Sequence, residues 1–480
     1  PSRTGGTLGK TSMHLETDYL VIGAGAVGMA FVDTLLTETD AHVVMLDDRA
    51  VPGGHWNESY PFVRLHQSGS TYGVNSKALG KSRVETSGIN EGFESLSSGP
   101  EITHYFHELM EETFLPSGRV TFLPLTRYED DGRIWSTLSG EEHTIKVRKK
   151  TVFANYLTTS IPATHTRNYT VADGVTCVPP NDLPLKAPKH QQICMIGGGK
   201  TATDCIIWLL TRGYDPERIH WIVPRDSWFL NRKNFQTLDN SYFEDTVGGQ
   251  AKMMEIYAAA ENVTDLEDRM EAEGLWQRID KNIRPTMFHA SIVAEREIEE
   301  LRKIKNVIRK GYVKSIESGK LIMDQGEVEM ADDTLYIDCT ASAFKKYVNV
   351  REQVFQPNEI HVQVIRQFQP CFSAALIAAI EARIPEDDKN NYARPAPGID
   401  TTEDILLVLA AAMENTMMWM SSPELGEWRS ACRLDGFAGM VDQADMNDPK
   451  IMETLMSMLT NGEPAIKNLR RIAAEAGVEA

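Results

Sequence analysis

Glycines at 23, 25 and 28 directly follow an apolar run, Asp18-Tyr-Leu-Val-Ile22, and open a helix-like stretch that ends at Leu36. Gly23 permits a tight turn, Gly25 with Ala26 lets a pyrophosphate approach the backbone, and Gly28 allows close helix–strand packing. The unpaired N–H groups of the following helix face the same anion. A second apolar run, His42-Val-Val-Met-Leu46, ends at Asp47, 19 residues beyond Gly28, with Asp48 beside it. A carboxylate there accepts hydrogen bonds from a ribose diol and repels a 2′-phosphate, so FAD or NAD is expected rather than NADP. A lone Gly-x-Gly-x-x-Gly also arises as a plain glycine-rich loop. Strand, helix, second strand and terminal acid together argue for a nucleotide.

The pattern returns 174 residues later. Gln192-Ile-Cys-Met-Ile196 leads into Gly197-Gly198-Gly199-Lys200-Thr201-Ala202 and a helical run to Leu210. The next strand, Ile219–Val223, ends in Pro224-Arg225 with no carboxylate at the ribose position. A cation there favours a 2′-phosphorylated ribose. Arg225 is therefore expected to select NADPH, with Lys200, Thr201 and Arg232 supporting phosphate contacts; the alternative for Arg225 is a solvated strand-end charge. Gly199-Lys200-Thr201 also imitates the end of an ATP-binding phosphate loop, but that motif needs a glycine where Cys194 stands.

Between the fingerprints, Gly53-Gly54-His55-Trp56 precedes Tyr60-Pro61-Phe-Val-Arg64-Leu-His66-Gln67 and then Tyr72. With the first fingerprint, this stretch resembles the flavin-containing and Baeyer–Villiger (class B) flavoprotein monooxygenases, which carry Gly-Gly-x-Trp and then Tyr-Pro-x-x-Arg at this distance. The resemblance implies FAD at the first site. Gly53, Gly54 and Trp56 would approach the flavin, and Arg64, His66 and Gln67 would lie near its ring. His55, Arg64 and His66 are the candidate catalytic residues, the histidines as proton managers. For Trp56 and His66 the alternative is a packed loop with a satisfied core histidine.

The same resemblance implies a reaction. NADPH reduces FAD, reduced flavin meets O2, and a C4a-(hydro)peroxyflavin transfers one oxygen atom to a small organic substrate. The cofactor carries that chemistry and no protein nucleophile is required. Three departures accompany the likeness. His66 stands where the family often has an acid. Asn155-Tyr156 replaces a Thr-Gly, and the interdomain linker lacks the family's Phe-x-Gly-x-x-x-His, with Val178-Pro-Pro-Asn181-Asp182 in its place. Two alternatives stay open: an NADPH-dependent flavin reductase or oxidase releasing H2O2, and a non-catalytic flavin-nucleotide redox sensor.

The elements that must position these groups form an α/β protein with two Rossmann-like dinucleotide-binding domains, the FAD domain split by an inserted NADPH domain. Residues 1–17 read as a flexible leader, 18–165 as the first FAD segment, and 166–330 as the NADPH domain with a helical insertion at about 240–310. Residues 331–480 read as the second FAD segment and a helical C-terminal part. Within it, Asp333–Ala341 is an apolar strand ending in small residues, and the family resemblance implies that Thr340 and Ala341 pass the FAD. Helical spacing is expected over Lys252–Ala260, Ile292–Ile304, Ser373–Arg383, Glu403–Ser421 and Met452–Ile472. Glu297–Arg302 reads as a solvated charged face, and Met417–Met420 as core or the lining of an apolar substrate pocket.

Composition bounds the partners. The 480 residues carry 49 Lys+Arg against 68 Asp+Glu, a net charge of −19, with 42% hydrophobic residues. That balance opposes nucleic-acid binding and docking on anionic membranes. The longest strongly apolar stretch, Ile405–Met413, is too short to span a bilayer. Six cysteines include no Cys-x-x-Cys and no His/Cys grouping, so free thiols in the cytoplasm are expected and no metal site. The expected partners are a small organic substrate and O2; oligomeric state is left open, a homo-oligomer included.

Overall fold

The computed structural model describes residues 12–80, 82–156, 160–341 and 352–478. Its first sheet is built on the strand His14–Ile22, which pairs in parallel with Val43–Leu46 on one side and Glu142–Phe153 on the other. Val120–Leu123 extends the sheet beyond Val43–Leu46, and Glu359–His361 extends it beyond Glu142–Phe153. Tyr19–Ile22 and Val43–Leu46 are buried throughout, as strands covered on both faces must be.

One cover is the helix Ala26–Glu38, whose residues Gly28–Leu36 are all buried. It packs on the helix Pro370–Arg383. There every residue from Cys371 to Ile380 is buried, and Ala374, Ala375, Ala378 and Ala379 keep the helix slim. A helix apolar all round belongs inside a core.

The second sheet is parallel, in the order Asn306–Ile308, Ile219–Ile222, Ile193–Ile196, Leu335–Asp338, Cys177–Val178. This arrangement corrects the expected boundary at 331. Leu335–Asp338 pairs with Ile193–Ile196 and so completes the second domain. Among the described residues, the chain rejoins the first sheet only at Phe355–Gln356 and Glu359–His361. The leader is also shorter than expected, because His14–Thr17 already pair with Thr144–Val147.

The expected helical insertion is mixed. Helices Gly249–Ala259 and Val263–Ala272 are present, but Ser227–Asn231, Trp276–Gln277 and Met287–Val293 form a three-stranded sheet. The apolar run that read as helix from Ile292 is strand up to Val293, and helix only over Glu295–Leu301. The β-branched pair Ile292-Val293 favours the strand at this point over the helical spacing. In the C-terminal part, the helices Asp404–Ser421 and Pro449–Glu475 lie where spacing predicts them. Trp419 is core, but Met417 and Met420 are exposed, and the methionine cluster is not part of the cavity onto which the glycine loops open.

Candidate active site

Both glycine loops open into one cavity of about 1190 Å³ lying between the domains. That exceeds the ~300–1,000 Å³ of a typical single-ligand pocket. Gly23, Gly25, Ala26, Asp47, Asp48, Gly54, His55, Trp56, His66 and Gln67 line it from the first domain side. Gly197, Gly199, Lys200, Thr201, Arg225, Thr340 and Ala341 line it from the second. The strands that end at Ile22 and Ile196 bring these loops to their C-terminal ends, the position where open α/β sheets bind ligands.

The glycines are required by contact. Gly23 has φ +106° and Gly197 has φ +126°, both in the region that favours glycine. A side chain at Gly28 would place its Cβ 2.0 Å from the carbonyl oxygen of Gly23. Gly54 lies so near Gly25 that a Cβ there would come 3.0 Å from the Gly25 Cα, and the two loops form one continuous backbone wall. Two of the three non-glycine residues with positive φ among the described residues, Ala290 (56°) and Phe368 (61°), also line the cavity. Strained backbone concentrates at sites that hold ligands.

Asp47 is buried at the end of its strand, where its Oδ2 accepts the Ala24 N–H at 2.7 Å and its Oδ1 the Arg49 N–H at 2.9 Å. Burial pushes its carboxyl up, against those two hydrogen bonds. Further hydroxyl donors, such as a ribose diol, would relieve that cost. Gln363 and Gln367 face the cavity too, and their buried Oε1 atoms have no hydrogen-bond partner. Unpaired buried acceptors call for N–H or O–H groups from a ligand. A loop stripped of side chains, a buried acid and waiting acceptors fit FAD.

The two histidines are neutral. Burial, then Lys200 and Arg232, push His66 down to about 3, and burial, then Arg49, push His55 down to about 4. The Ile292 N–H donates to His66 Nδ1 at 3.2 Å, so the proton of the neutral ring sits on Nε2. His55 stacks on Trp56 with ring centroids 5.6 Å apart, and Trp56 Nε1 donates to the Tyr72 hydroxyl at 2.8 Å. An unfolded chain protonates both rings as pH falls through about 6.5. Stability present above that pH should therefore be lost progressively towards pH 4 and 3, by about 1.4 kcal/mol per pH unit for each histidine. Thermal unfolding against pH should show a shallower slope for His66→Gln than for wild type; identical slopes would contradict this assignment.

Arg64 is the clearest correction. It lies outside the cavity, half exposed, with Nη1 3.1 Å from Glu85 Oε1. Its neighbours in sequence explain the segment instead. Tyr60 donates to Asp204 Oδ2 at 2.7 Å, and Phe62 stacks on Trp208 at 5.0 Å, both on the helix Lys200–Thr211. The Tyr-Pro-x-x-Arg stretch thus docks the first domain onto the second.

The expected phosphate cations are also engaged. Lys200 pairs with Asp204 and lies 3.7 Å from Glu297. Arg232 is 1% exposed, with Nη1 2.6 Å from Glu297 Oε2 and further bonds to Asn90 and the Ile292 carbonyl. Glu297 is therefore a buried counterion, not part of a solvated face. Arg225 lines the cavity but is held by Asp400 at 2.8 and 2.9 Å. Thr340 lines the cavity, and its hydroxyl donates to Asp338 Oδ1 at 2.6 Å.

Sequence reasoning missed Asp400, His289, Gln363, Gln367 and Glu297. None stands in a motif, and each reaches the site through the fold.

No family model matches the chain. An uncharacterized protein of Mycobacterium tuberculosis is 38% identical over 469 residues, spanning 95% of this chain and 86% of that protein. An uncharacterized protein of Mycobacterium bovis matches to the same extent. The chain belongs to the family of these mycobacterial proteins. Among solved structures, epsilon-caprolactone-bound cyclohexanone monooxygenase matches with a TM-score of 0.51 at 14% identity, covering 85% of this chain and 98% of that one. The chain thus shares the two-domain fold of that flavin monooxygenase, in a divergent form. Among the described residues, no single helix is long and apolar enough to cross a membrane.

Proposed function

We propose that the protein is an FAD-dependent, NADPH-using monooxygenase that inserts one atom of O2 into a small organic molecule. The observation that carries this reading is the single cavity onto which both dinucleotide loops open. Two nucleotides held by these loops would share that cavity, as hydride transfer requires. FAD supplies the redox and oxygen chemistry when bound.

The chain's own residues do the rest. The Gly23–Gly28 loop and the start of the helix Ala26–Glu38 would bind the FAD pyrophosphate, Asp47 would take the ribose, and Gln363 and Gln367 would accept hydrogen bonds from the bound cofactor. Trp56, fixed by Tyr72, walls the cavity and excludes water. His66 offers a proton at Nε2 and is never cationic at neutral pH, so it can donate a hydrogen bond without repelling Arg232 or Lys200. The Gly197–Thr201 loop holds the second nucleotide, with Arg225 at its 2′-phosphate. The six cysteines are free thiols, which supports a cytoplasmic setting.

The FAD-loaded protein should consume NADPH and O2 in step with an oxygenated product. Cyclohexanone and a simple thioether are suitable probes, the first because of the fold likeness to a cyclohexanone monooxygenase. NADPH consumption that yields stoichiometric H2O2 and no product from either probe would favour the oxidase reading, to which the missing Phe-x-Gly-x-x-x-His gives support.

A further inference from the structure

Arg225 follows the strand Ile219–Ile222, at the place where a dinucleotide domain reads the second ribose. The acid missing from that strand end arrives from elsewhere in the chain. Asp400, 175 residues further on, accepts two parallel hydrogen bonds from Arg225: Nη1 to Oδ2 at 2.9 Å and Nη2 to Oδ1 at 2.8 Å. His289 Nε2 lies 2.9 Å from the same Oδ1. Arg225, Asp400, His289 and Tyr312 all line the cavity.

Asp400 is firmly placed. Its carbonyl accepts the Phe288 N–H at 3.0 Å, from the strand Met287–Val293. Its own N–H and that of Thr401 donate to Asp404 Oδ2 at 2.9 and 2.8 Å, at the start of the helix Asp404–Ser421. The pairing with Arg225 holds its carboxyl far below the usual carboxylate range, so it is charged at any physiological pH.

Building on the NADPH reading above, we propose that Asp400 is a second determinant of nucleotide preference, a carboxylate that competes with the 2′-phosphate for Arg225. The paired N–H groups that suit a phosphate are the ones Asp400 occupies. A 2′-phosphate arriving there meets a negative neighbour and must displace it to gain two-bond contact with the guanidinium. A plain ribose diol meets no such opposition, because its hydroxyls donate to a carboxylate. The pair therefore narrows the gap between NADPH and NADH that Arg225 alone would open. Its side chains are 31% and 35% exposed, so the effect is moderate.

The test is calorimetric titration of the FAD-loaded protein with 2′,5′-ADP and with 5′-ADP, for wild type, Asp400→Asn and Arg225→Ala. Asp400→Asn should bind 2′,5′-ADP about five- to tenfold more tightly and 5′-ADP no more tightly than wild type. Asp400→Ser carries the same expectation if the asparagine variant unfolds. Equal or weaker binding of 2′,5′-ADP by the neutral variants, with Arg225→Ala still weakening it, would overturn the competition alone: Asp400 would then orient Arg225. Unchanged 2′,5′-ADP affinity in Arg225→Ala would remove Arg225 from the nucleotide site, and the NADPH assignment of that loop with it.

Discussion

Gly28→Ala should abolish FAD retention and destabilise the first domain by more than about 3 kcal/mol. The added methyl would sit 2.0 Å from the Gly23 carbonyl oxygen and 3.0 Å from its carbon, backbone atoms that cannot swing aside. Relief requires the helix Ala26–Glu38 to move off the strand His14–Ile22, and that helix is buried along one side by the helix Pro370–Arg383, itself buried from Cys371 to Ile380. Moving it opens the core. Gly199 provides the control, because a Cβ there meets nothing within 4 Å. Gly199→Ala should melt within a degree or two of wild type. Thermal unfolding and flavin content per chain measure both, and a Gly28→Ala protein with full flavin would contradict the packing argument.

Glu297→Ala should cost about 3–5 kcal/mol, because it leaves Arg232 buried without its counterion. Burial pushes the Glu297 carboxyl up, but Arg232 and Lys200 outweigh it and keep the group ionised. The same carboxylate caps its helix by accepting the Ala294 N–H at 2.7 Å. Glu297→Gln should recover part of the cap and little of the charge balance, and so fall between wild type and alanine. Arg296→Ala, one residue away but half exposed, with Nη1 donating to the Glu91 carbonyl at 2.8 Å at the surface and 3.9 Å from its carboxylate, should change stability by less than about 0.5 kcal/mol. Denaturant unfolding of the three variants checks the order, and equal stabilities for Glu297→Ala and Arg296→Ala would contradict the buried network.

The glycine loops were legible because their constraint is local: a turn, a close approach and a helix start within six residues. Asp47 was legible for the same reason, at a fixed distance along one βαβ unit. Arg64 was misplaced, and the partner of Lys200 in the cavity wall was missed, because charge type predicts affinity for an anion but says nothing of nearer partners. Glu85 and Asp204 reach them first. Glu297 sits in a run of charges that reads as solvent-facing, yet the fold packs it against Arg232, 65 residues earlier in the chain. Asp400 had no signal at all, since only the return of the C-terminal segment onto Met287–Val293 carries it to Arg225. The strand Leu335–Asp338 was recognised as a strand but assigned to the wrong sheet, because an apolar parallel strand carries no mark of which neighbour it will pair with.

The claim that two dinucleotides meet in one cavity is tested most directly by mixing the FAD-loaded protein with one equivalent of NADPH in the absence of O2 and following the yellow flavin absorbance. The loops and their shared cavity predict complete bleaching by that single equivalent, without added substrate. A protein that holds FAD stoichiometrically but stays yellow with both NADPH and NADH would contradict it.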